Sequence, residues 1–100
     1  MRKTIDLSVV AEIWDVIIER AKNPSGHSYT SRLLTDEKGI DRVLEKVGEE
    51  STEFILAVKN GRPERTTQEA ADLLFHLLVA LRAADVDLAD VLEELKERRK

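Results

Sequence analysis

Two short acidic runs hold the residues best suited to chemistry: Glu49-Glu50-Ser51-Thr52-Glu53 and, fifteen residues later, Glu69-Ala70-Ala71-Asp72. In each run acids recur at i and i+3, which sets them on one face of a helix. At about 100° per residue, Glu50 and Glu53 lie about 60° apart and border an arc of Val43, Leu44, Val47, Phe54, Ile55 and Val58. Glu49 falls farther toward solvent. Glu69 and Asp72 share their stripe with Leu73, His76 and Ala80. On two facing helices these four acids converge. Carboxylates crowded together out of water repel, and each is driven toward protonation unless a cation neutralises it. Oxygen-only ligands suit Mg²⁺ or Mn²⁺ better than zinc or copper. The expectation is a divalent-metal site made by Glu50, Glu53, Glu69 and Asp72.

Plainer readings stand beside it. A Glu-x-x-Glu pair is commonly a solvated helix face. Thr66-Thr67-Gln68-Glu69 also matches a capping box, with Thr66 as N-cap and Glu69 bonding back to its amide. A di-iron bundle would need Glu-x-x-His twice, and the one helical histidine, His76, has Leu73 three residues before it.

The elements that must position these acids are helices, and no segment alternates like a strand. A first helix is expected over Ser8–Lys22, with Val9, Val10, Ile13, Trp14, Ile17 and Ile18 as its apolar stripe and Ser8 or Asp6 as cap. Asn23-Pro24-Ser25-Gly26 ends it, and His27 to Arg32 reads as a polar loop closing on Leu33-Leu34. Thr35 or Asp36 offers a cap for a second helix from about Glu37 to Asn60, with Gly61 at C′. A third begins between Glu64 and Thr67 and runs to about Ala84; a fourth spans about Leu88 to Arg98. The short link between the second and third predicts an antiparallel hairpin.

From Glu69 to Ala84, 12 of 16 residues are apolar, on nearly every side of the helix. Four helices in 100 residues can hardly enclose such a helix, so a homodimer or higher homo-oligomer is expected to complete the core.

Composition narrows the partners. With 16 basic against 20 acidic residues the chain carries a net charge of −4, which argues against a nucleic-acid polymer as ligand. The absence of cysteine excludes disulfides, thiolate zinc sites and cysteine nucleophiles. No signal-peptide core follows Met1-Arg2-Lys3, and the apolar run Leu73–Leu81, broken by His76, is half a membrane span; a cytoplasmic protein with no membrane partner is expected.

The motif Glu49-Glu50-x-x-Glu53…Glu69-x-x-Asp72 resembles the EExxE…ExxD signature of the MazG-type all-α nucleotide pyrophosphohydrolases. Ser28-Tyr29-Thr30 with Leu33, the run Lys46-Val47-Gly48-Glu49-Glu50, and Asp72-Leu73-Leu74-Phe75-His76 make the chain similar, over nearly its whole length, to the phosphoribosyl-ATP pyrophosphohydrolase family. Phe75 departs from the tyrosine more often expected there, which touches no catalytic role. The resemblance implies a single all-α domain over residues 1–100, a four-helix MazG-like bundle completed by oligomerisation. It also implies Mg²⁺-assisted attack of water on the α–β phosphoanhydride of 1-(5-phosphoribosyl)-ATP, giving phosphoribosyl-AMP and pyrophosphate, the second step of histidine biosynthesis. By the same resemblance Glu50, Glu53, Glu69 and Asp72 are metal ligands. Glu49 joins Glu50 and Glu53 among the catalytic acids, as a further ligand or as the group that orients and deprotonates water.

Lys46 lies one turn before Glu50, so its ammonium either reaches a substrate phosphate or pairs with Glu50 or Glu49. Tyr29, Thr30 and Arg32 are implied substrate contacts; without the resemblance their segment reads as a solvated connector. His76 is either a packed helix histidine or a group acting through Asp72. Two other functions compete with this one: a house-cleaning pyrophosphohydrolase of (d)NTPs, and a non-catalytic helical dimerisation module.

Overall fold

The helical periodicity is realised in full: the computed structural model describes residues 2–99, and among them there are helices, turns and no strand. The helices are α1 (Ser8–Lys22), α2 (Tyr29–Leu34), α3 (Ile40–Lys59), α4 (Pro63–Ala83) and α5 (Leu88–Arg98). The all-α class is as expected, but there are five helices and not four.

The extra helix is α2, in the stretch read as a polar loop. Six residues are too few to show a 3.6-residue period, and Ser and Thr are weak helix formers, so local pattern missed it. The Ser28 hydroxyl oxygen accepts the Ser31 N–H at 3.2 Å and starts the helix. Tertiary contact then holds it: Thr30, Ser31 and Leu33 are buried, and the Ser31 hydroxyl donates to the Arg20 carbonyl at 3.2 Å.

Helix α1 keeps its expected bounds. The Asp6 carboxylate accepts the Ser8 N–H at 3.0 Å at its start, and Trp14 and Ile17 are buried while Val9 stays in water. Helix α3 begins three residues later than expected. Asp36 closes a turn instead of capping a helix, accepting the Lys38 N–H on its side chain at 2.9 Å and the Gly39 N–H on its carbonyl at 2.8 Å. Gly39 leaves that turn at φ +63°, which bars the helical backbone until Ile40.

The end of α3 follows the sequence. Gly61 at φ +63° donates to Val58 O at 3.0 Å, and Arg62 donates to Ala57 O at 3.2 Å, the two bonds of a Schellman motif. Pro63 then occupies the first position of α4, where its missing N–H costs nothing. Helix α4 thus starts before Thr66, whose N–H donates to Arg62 O at 2.8 Å within the helix. The capping box considered as the plainer reading at Thr66 and Glu69 does not form, because the proline has already nucleated the turn upstream.

This turn folds α4 back along α3 as an antiparallel hairpin. Helix α1 packs on α4, and α2 lies against α1, α3 and α4. The core draws on every helix: Trp14 and Ile17, Leu33, Val43, Leu78 and Val79, and Leu88. No helix of the described residues is long and apolar enough to cross a membrane.

Candidate active site

The buried residues of α3 are Val43, Glu50 and Ala57, spaced seven apart, so they form the seam that faces α4. Glu50 occupies a position where its neighbours one period away are apolar. On α4 the buried Glu69 and His76 are likewise seven apart. The hairpin therefore presses acids of both helices together. Carboxylate oxygens of Glu50, Glu69 and Asp72 lie within 4.8 Å of one another. Glu50 and Glu69 are 9% and 3% exposed, while Asp72 opens to solvent.

Glu53 stands beside Glu69, within reach of a hydrogen bond. The fourth acid of the expected set is thus adjacent to the triplet and exposed to solvent.

Glu69 is the strained member. Its Oε1 accepts from Arg65 Nη2 at 2.7 Å, but its Oε2 is buried with no hydrogen-bond partner. Burial pushes its pKa above the usual carboxylate value; Glu53 and Glu50 push it further, and only the Arg65 guanidinium opposes them. A buried anionic oxygen without a donor is a site that a proton or a cation satisfies. The oxygen donor set and its spacing fit a hard divalent cation.

Lys46, half-buried, bonds Glu49 at 3.1 Å and Glu50 at 3.4 Å, so both ion pairs considered for it are present. The Glu49 hydrogen bond holds the Lys46 ammonium above its ordinary pKa. Glu49 itself lies outside the triplet, its side chain 56% exposed.

Tyr29 joins the site from α2. Its hydroxyl lies 3.0 Å from His76 Nε2, and His76 Nδ1 lies 2.7 Å from the Asp72 carbonyl oxygen. A carbonyl only accepts, so Nδ1 carries the proton. In the neutral ring Nε2 then accepts from the Tyr29 hydroxyl. That leaves the phenolic oxygen to accept from a group in the cleft, where Lys46 is its charged neighbour. The Phe75 ring stacks on Tyr29 at 6.3 Å and meets His76 edge-on at 5.1 Å, fixing all three.

The other two expected substrate contacts are placed differently. Thr30 is buried in α2, and the Arg32 guanidinium donates to the Gly26 carbonyl at 3.0 Å. Arg65, in contrast, was not singled out by sequence reasoning. Its i,i+4 spacing before Glu69 is the signal that could have found it.

Residues 10–99 match the family model described as phosphoribosyl-ATP pyrophosphohydrolase. A protein of Methanoregula boonei named phosphoribosyl-ATP pyrophosphatase is 72% identical, the alignment covering 99% of this chain and 95% of that one. A protein of the same name from Methanosphaerula palustris is 62% identical over 95% of this chain and 96% of its own. Another from Methanosarcina barkeri is 45% identical over 93% and 89%.

Proposed function

The chain belongs to the phosphoribosyl-ATP pyrophosphohydrolase family, and from that premise we propose that the acids of the α3–α4 hairpin are its catalytic centre. The enzyme hydrolyses phosphoribosyl-ATP to phosphoribosyl-AMP and pyrophosphate, the second step of histidine biosynthesis. The observation that carries the site is the buried, unpartnered Glu69 Oε2 packed against Glu50 and Asp72.

In this reading Glu50, Glu69 and Asp72 would hold Mg²⁺ or, in its place, Mn²⁺, and Glu53 would complete the set from the rim. When bound, the ion supplies neutralisation of the phosphate oxygens and a more acidic water. Glu49, outside the triplet, orients the attacking water and accepts its proton, while the α–β P–O bond breaks and pyrophosphate departs. Lys46 contacts a phosphate, exchanging part of its bond to Glu49 for the new anion. Tyr29, its hydroxyl proton committed to His76, accepts from a ribose hydroxyl. Thr30 supports α2 from within, and Arg32 steadies the loop at Gly26.

A second copy of the chain belongs to the same proposal. Leu44, Ile55 and Val58 of α3 and Leu74 and Leu77 of α4 are exposed apolar residues of the hairpin. The accessible surface is 7667 Å², against about 5,700 Å² for a folded monomer of this mass. The radius of gyration is 14.9 Å, against about 13 Å for a globular chain of this length. Both excesses support a protomer that pairs, and about 2,000 Å² per chain is on the scale of a large obligate dimer interface. A single domain acting in the cytoplasm goes with this reading.

The test is to incubate the protein with phosphoribosyl-ATP and Mg²⁺, then with ordinary dNTPs, and identify the products. Pyrophosphate and phosphoribosyl-AMP are expected. Release of orthophosphate contradicts the reaction, and equal turnover of dNTPs contradicts the specificity.

A further inference from the structure

We propose that the cavity at the α3–α4 turn is a diphosphate subsite, formed by Arg62 and Arg65, that holds the departing pyrophosphate. The inference builds on the reaction proposed above. The cavity, of about 280 Å³, is lined by Glu53, Leu56, Ala57, Asn60, Arg62 and Arg65. It adjoins the carboxylate cluster directly: Glu53 lies on its wall, and Arg65 on its wall also bonds Glu69 at 2.7 Å. Arg65 is paired with Glu69, so Arg62 and the Asn60 carboxamide are the uncommitted donors on a wall that also carries Glu53.

Its size and chemistry select a group and not a whole nucleotide. Pockets that enclose a complete small ligand begin near 300 Å³, and this one offers no aromatic face for a base. Guanidinium groups present several N–H donors in a plane, the geometry that recognises phosphate oxygens. Arg65 spends two of its nitrogens, Nη1 on Gln68 at 3.1 Å and Nη2 on Glu69. Arg62 makes no side-chain hydrogen bond or ion pair among the described residues, so its donors remain for a ligand. The N-terminus of α4, starting at Pro63, adds its positive dipole end on the same side.

The two ends of the cleft then assign the orientation of the substrate. Beyond the acids on one side stand Tyr29, Phe75 and His76, rings and a hydroxyl that suit ribose and base. On the other side stand Arg62, Arg65 and Asn60, which suit phosphates alone. With the α-phosphorus at the acids, the β- and γ-phosphates extend toward the turn.

Product inhibition tests this, with Mg²⁺ in excess over added inorganic pyrophosphate. Arg62→Ala is the main variant, because its side chain holds no other residue in place. Its inhibition constant for pyrophosphate is expected to rise about tenfold or more, the loss for one charged hydrogen-bonded contact. Inhibition by phosphoribosyl-AMP should shift less than about twofold, and Arg62→Lys should restore part of the loss. Pyrophosphate inhibition unchanged in Arg62→Ala, equal weakening of both products, or a wild-type enzyme insensitive to pyrophosphate overturns the subsite. A wild-type enzyme that leaves phosphoribosyl-ATP intact overturns the reaction instead, and the two failures are distinguishable.

Discussion

The α3–α4 hairpin has two unlike sides. On one, Glu50 and Glu69 are buried although they are anions, and Glu69 Oε2 finds no donor. On the other, Ile55, Val58, Leu74 and Leu77 stand in water although they are apolar; Ile55 is 62% exposed. Each side breaks the ordinary rule of burial in the opposite sense, and each is corrected by a different visitor. In the proposal above, a cation satisfies the acids and a second copy of the chain covers the apolar residues. On that proposal function and assembly share one element of the chain.

Substitutions separate the two sides. The largest effect is expected at Glu69. Glu69→Gln keeps the shape and removes the charge, so activity should fall at least about a hundredfold in a steady-state assay. The metal-free fold should become more stable, since the repulsion with Glu53 and Glu50 goes. The pH dependence has a definite sign. The folded pKa of Glu69 lies above its ordinary value, so between the two the native state holds a proton that the unfolded chain has released. Stability of the metal-free enzyme therefore falls as pH rises through that window, and thermal melts of Glu69→Gln should lack this component.

On the apolar side, Leu77→Glu should halve the mass seen by sedimentation while helicity persists. A persistent dimer would break the comparison between the two sides.

A smaller effect is expected at His76, which links the core to the cleft. His76→Phe leaves the Tyr29 hydroxyl without its acceptor and should raise KM about tenfold with kcat little changed, whereas His76→Gln, which can still accept, should lose less. Equal losses in kcat and KM for both variants would reduce His76 to a packing residue.

Much of this was legible in the sequence, for identifiable reasons. Helices α1 and α5 kept their bounds because their periodicity is long enough to register, and Asp6 and Pro24 mark the ends of α1. Gly61 marked the end of α3 because its positive φ is a local requirement. The inward placement of Glu50 and Glu69 followed from spacing alone. The start of α4 was misplaced because two local signals competed, and Pro63 at the first turn won over the Thr66 box. Helix α2 was invisible because tertiary burial of Thr30 and Leu33 sustains it. Arg65 gained its importance only when Glu69 turned inward and needed a counter-charge.

The central claim is that the buried acids are a metal centre, and thermal unfolding with and without Mg²⁺ tests it most directly. Saturation at about a hundred times Kd adds about 2.7 kcal/mol to the folded state, which raises Tm by roughly ten degrees or more in a chain of this size. The wild-type enzyme should show that rise, and Glu69→Gln should start from a higher Tm and respond little. An equal response to Mg²⁺ in both proteins, or none in the wild type, would contradict the account.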